Sequence, residues 1–126
     1  APSVVTVLYV EDSDLNQELM RRVMELRPDV RLVIESSGVG AVEAALANRP
    51  DLILLDRTLP DMTGGDVLIR LRARQETESV PVIFVSGDSR PRLAAADDPG
   101  VVAHLTKPFD IHVVLSYVDR AADGSL

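Results

Sequence analysis

The sequence has no cysteine and no tryptophan, and its aromatics are two tyrosines and two phenylalanines. Without cysteine there is neither a disulfide framework nor a thiolate metal site. With so few aromatics the core has to be built from Val, Leu, Ile and Ala, which suits strands buried on both faces. Basic residues are also scarce: 13 Lys and Arg stand against 20 Asp and Glu, for a formal net charge of -7. That balance opposes non-specific attraction to nucleic acid or to an anionic membrane, so neither is expected as a direct partner. No apolar run approaches the length of a membrane span, and the N-terminus lacks the basic start and apolar stretch of a signal peptide. The expectation is a soluble, cytoplasmic protein. A chain of 126 residues, 46% apolar, holds one domain with a real core. That domain is taken as 1–126, with its core at about 4–122 and a short polar tail at 123–126.

What is present is a regular alternation. Short apolar runs at 4–10, 30–35, 52–56, 81–86 and 101–106 read as strands. Between the first two, Leu15, Leu19, Val23 and Met24 recur at helical spacing, with Asp14 as the expected N-cap and Gln17 three residues on. Val39, Val42, Ala45 and Leu46 mark a second helix, and Val67, Leu68 and Leu71 a third. A short helix is expected around Arg90 to Ala96, and Ile111, Val114, Leu115 and Val118 mark the last. Strict β-α alternation with strands that are apolar throughout predicts an α/β fold: a single doubly wound (βα)5 domain with a five-stranded parallel sheet, flavodoxin-like. In such sheets the functional crevice lies beyond the carboxyl ends of the strands, where strand order reverses.

Polar groups stand at those ends. Glu11 and Asp12 follow the first strand, Asp56 ends the third, Ser86 the fourth, and Lys107 with Pro108 follows the fifth. Each has an ordinary reading as a turn residue, a cap or a solvated charge. Together they carry more, because carboxylates converging on one crevice repel: at ~4 Å and an effective dielectric of about 20, each like-charged pair costs about 4 kcal/mol before relaxation. A cation is expected there, and hard oxygen ligands favour Mg²⁺ or a similar ion such as Mn²⁺, with phosphate oxygens completing its shell.

The motifs "VLYVEDSDLN", "DLILLDRTLPDMTGGD", "PVIFVSG" and "HLTKPF", in that order and over essentially the whole chain, resemble the receiver domain of two-component response regulators. The resemblance implies a phosphorylation-dependent switch rather than an enzyme acting on an external substrate. Asp56 would be the phosphoacceptor for a phosphohistidine on a histidine kinase or histidine phosphotransfer protein. Asp12, Asp56 and the backbone carbonyl of Thr58 would hold Mg²⁺, with Glu11 acting mainly through water. Lys107 and Ser86 would meet the phosphoryl oxygens, and Lys107-Pro108 would be a cis peptide. Output to a downstream effector or attached domain would pass through the face of the fourth helix, fifth strand and fifth helix. "VEDSDLNQELM" most resembles receivers attached to hybrid histidine kinases.

One position departs from the family pattern. Three residues before the lysine, where the family carries Tyr or Phe, stands His104, which would serve with Ser86 as the switch or be an exposed edge residue without a role. Two alternatives compete with the receiver. A haloacid-dehalogenase-type phosphatase would use Asp12-Ser13-Asp14, but it leaves Asp56 idle and has Asn16 at a position that calls for Thr or Val. A non-phosphorylated pseudo-receiver would be expected to lose the acceptor, the acidic pair or the lysine, and all are retained.

Overall fold

The computed structural model describes residues 4–87 and 100–126. In chain order its elements are β1 (Val5–Val10), α1 (Asp14–Met24), β2 (Val30–Glu35), α2 (Gly38–Asn48), β3 (Leu52–Asp56), α3 (Gly64–Arg72), β4 (Val82–Ser86), β5 (Val101–Thr106) and α4 (Ile111–Asp123). The five strands pair in parallel in the order β2-β1-β3-β4-β5. The expected helix around Arg90 to Ala96 lies outside the described residues.

Strands β1, β3 and β4 are buried along their whole length, while the edge strands β2 and β5 are mostly half-buried. Alternate side chains divide the core in two. Leu8, Val10, Ile53, Leu55 and Phe84 pack with α2 and α3 on one face, and Val7, Tyr9, Leu52, Leu54 and Val85 pack with α1 and α4 on the other. A bidentate pair between Arg27 and Asp119, at 2.8 and 3.0 Å, ties the end of α1 to α4. Chain order runs outward from β1 to β2, then jumps back across β1 to β3, so the reversal of order falls between β1 and β3. Their carboxyl ends flank the crevice.

Several expectations need correction. The N-cap of α1 is Ser13, whose hydroxyl accepts from the Asn16 backbone, and Asp14 is instead the first helical residue, where its charge favours the helix N-terminus. Gln17 makes no capping box; its amide donates to the Glu11 carbonyl at 2.6 Å. Leu15, Leu19, Val39 and Ile111 are exposed, because the sheet covers a narrower stripe of each helix than the apolar spacing suggested. The last helix runs to Asp123, and Leu126 packs against the core, so the tail is shorter and less free than its composition implied.

Candidate functional site

Asp56 is the last residue of β3 and only 6% exposed. Its Oδ1 accepts the Thr58 backbone N–H at 3.1 Å, and its Oδ2 accepts Lys107 Nζ at 3.0 Å. The loop after it is pinned by Asp61, whose carboxylate takes the backbone N–H groups of Gly38 and Val39 at the start of α2. Those two bonds hold the Asp61 pKa below its ordinary value. Where α3 begins, a Cβ on Gly64 would lie 2.4 Å from the Asp56 carbonyl oxygen, so only glycine lets the helix approach the strand end this closely.

Glu11, 1% exposed, is bonded from all sides. Its Oε1 accepts the Tyr9 hydroxyl and the Asn16 amide, each at 3.2 Å, together with Lys107 Nζ, and its Oε2 accepts the Ser13 N–H at 3.1 Å. Asp12 beside it is exposed. Carboxylate oxygens of Glu11, Asp12 and Asp56 lie within 4.8 Å of one another. Lys107 therefore bridges two buried acids, Glu11 on β1's end and Asp56 on β3, from the far side of β4. Burial raises the pKa of Asp56, the bonds from Lys107 and Thr58 oppose it, and the Glu11 charge adds to the rise. Burial also acts on Glu11, but the Lys107 and Ser13 donors outweigh it and hold its pKa low. Lys107 loses hydration, yet its two carboxylate bonds raise its pKa overall. Ser86 ends β4, 9% exposed, and its carbonyl accepts the Lys107 N–H at 2.7 Å. The Lys107-Pro108 peptide is cis, as expected. The donor set for a cation is all oxygen and strongly anionic, which fits Mg²⁺ or Mn²⁺ and no softer ion.

A family model described as the response regulator receiver domain matches residues 7–119. The chain belongs to this family. The nitrate/nitrite response regulator protein NarP of Escherichia coli is 36% identical over 121 residues, which is 94% of this chain and 55% of NarP. The polar-differentiation response regulator DivK of Brucella ovis is 32% identical over 125 residues, 92% of this chain and 98% of DivK. Among solved structures, the receiver domain of a Pseudomonas aeruginosa sensor histidine kinase, crystallised with a magnesium ion coordinated in the active site cleft, superposes with a TM-score of 0.82 at 25% identity, covering 96% of this chain and 99% of that one. The chain thus spans about half the length of NarP and nearly the whole of DivK.

Within this receiver domain, the sequence-derived residues Glu11, Asp12, Asp56, Ser86 and Lys107 stand at the same sheet edge, with Thr58 two residues past Asp56. His104 does not join them. It is exposed on β5, its ring stacked 5.6 Å from Phe84 and its Nδ1 accepting from Arg57 at 2.6 Å, while the Arg57 guanidinium lies 4.8 Å over the Phe84 ring. Sequence reasoning missed Tyr9, Asn16 and the Ser13 N–H as partners of Glu11; the recurrence of polar groups two and five residues from it was the available signal. It also missed a groove of about 340 Å³ beside the crevice, where Leu19, Leu26, Pro108, Phe109 and Ile111 meet Asn16 and Lys107. No helix among the described residues is long and apolar enough to cross a membrane.

Proposed function

We propose that this receiver domain accepts a phosphoryl group on Asp56 from a phosphohistidine of a histidine kinase or histidine phosphotransfer protein. One observation carries the reading: a single ammonium, Lys107 Nζ, is bonded to both the Asp56 and Glu11 carboxylates beside the exposed Asp12. A carboxylate oxygen of Asp56 attacks phosphorus, the P–N bond breaks, and its electron pair leaves with the imidazole, which takes a proton from solvent. Such transfer passes through a loose transition state and needs positioning and charge neutralisation more than covalent help. Lys107 turns from Asp56 to a phosphoryl oxygen, and the Ser86 hydroxyl donates to another. Asp12, Asp56 and the Thr58 carbonyl, with Glu11 acting through water, would hold Mg²⁺, which would supply the remaining charge neutralisation. Hydrolysis of the resulting acyl phosphate by water resets the switch.

The apolar groove shares Asn16 and Lys107 with the crevice, so a donor seated on Leu19, Leu26 and Ile111 would present its imidazole to Asp56. Output passes through β5 and α4 together with the segment around 90–96, in a cytoplasmic setting where kinases make phosphohistidine. With acetyl phosphate and Mg²⁺ the protein should gain one phosphoryl mass, and Asp56→Ala should gain none. A label retained by Asp56→Ala would overturn the assignment.

A further inference from the structure

Tyr9 is the next-to-last residue of the central strand β1, 0% exposed, where its neighbours Val7, Leu8 and Val10 fill space with hydrocarbon alone. A hydroxyl buried there has to find a partner or destabilise the fold. It finds Glu11. Residues two apart on a strand project from the same face, so the phenol runs along the sheet towards its carboxyl edge and delivers its O–H to Glu11 Oε1 at 3.2 Å. Burial first, then the Glu11 charge, raises the phenol pKa, which leaves Tyr9 a donor at any ordinary pH.

An ionised carboxylate offers about four acceptor positions. At Glu11 the donors are Tyr9, Asn16, the Ser13 N–H and Lys107. The first three are neutral and fixed to β1 and the start of α1. Lys107 is different: it hangs on a flexible four-carbon stem and is shared with Asp56. It is the donor that can leave.

We propose that Tyr9 is a positioning residue for the cation and phosphoryl site, its phenol holding the Glu11 carboxylate on the crevice wall, with Asn16, when Lys107 turns away. The inference rests on the reading of the crevice given above. Neutral donors suit the task because they fix the carboxylate without cancelling the charge that a cation needs. A cation that keeps its waters requires an outer acceptor at a constant place, and partners of that kind matter to affinity although they never touch the metal.

The test is a Mg²⁺ titration followed by backbone amide NMR and by tyrosine absorbance. With no tryptophan and two tyrosines in the chain, Tyr117→Phe leaves Tyr9 as the sole tyrosine signal. In that variant Mg²⁺ should bind as in the unmutated protein and shift the tyrosine band in step with occupancy. Tyr9→Phe keeps the ring and should weaken Mg²⁺ on the order of tenfold, and Asn16→Ala, on the half-exposed first turn of α1, should act in the same direction. A role in packing alone would lower the melting temperature of Tyr9→Phe and leave its Mg²⁺ affinity unchanged, which would overturn the inference. If Tyr9→Phe fails to fold, a tyrosine band in Tyr117→Phe that stays still while the site saturates overturns it equally. Failure of the unmutated protein to take up Mg²⁺ would instead sink the reading of the crevice, and this inference with it.

Discussion

At the scale of single residues, His104 has a protonation state that the sequence could only pose as a question. Its Nδ1 accepts a hydrogen bond from Arg57, which requires the neutral ring. Partial burial, and then the Arg57 charge, lowers its pKa below the ordinary histidine value. The folded pKa is thus below the unfolded one, so the stabilisation is fully present above about pH 6.5 and lost as pH falls through the folded value. Imidazole NMR should place the His104 midpoint below about 6.5, and Arg57→Ala should move it up; an unmoved midpoint would show that the contact does not set the charge. The acids and Lys107 were legible because each follows an apolar run, and a strand must release its charge at the edge where it emerges. Tyr9 was not, since an aromatic in a buried run reads as core, and nothing in the letters tells where its hydroxyl points. Leu15 and Leu19 mark a helix but stay exposed, because helical spacing gives a face and not how much of it a sheet covers.

Among the elements, the strands were the most legible: β2, β3 and β5 begin and end where the apolar runs do, and β1 and β4 begin one residue later. Helix starts were less so. Ser13 and Asp14 are both good caps, and only the direction of the Ser13 hydroxyl decides between them. The start of α3 is a capping box, Thr63 with Asp66, set directly behind Asp56. Its first residue is where a methyl group does most harm. In Gly64→Ala the new Cβ would meet the Asp56 carbonyl oxygen at 2.4 Å and the Arg57 Cα at 3.0 Å, both backbone and neither able to swing aside. The cost should be about 1–3 kcal/mol, as for overpacking in a core, measured by denaturant unfolding. Acetyl phosphate labelling should slow in the same variant, because relief of the clash displaces Asp56; labelling at the unmutated rate would mean that α3 moves instead of the strand.

Over the whole molecule, the doubly wound order was legible from alternation alone, and the convergence of the crevice followed from it. The segment at 88–99, with its expected helix, stays outside the described residues. The acidic crevice contributes to a chain whose formal charge is already -7, so a divalent cation should act on global stability. At ten times its dissociation constant, Mg²⁺ should stabilise the fold by about 1.4 kcal/mol through binding linkage, read as a rise in melting temperature. Asp12→Ala should lose most of that rise, and a full rise in the variant would place the ion elsewhere. The pair of Lys107 with Glu11 joins residues 96 apart in sequence. During synthesis Asp56 likewise leaves the ribosome well before the lysine that pairs with it, and β1 waits for β3 before it is flanked on both sides. Until β5 is complete, the nascent chain holds Asp56 without the ammonium that pairs with it, so the balanced crevice exists only on a finished fold.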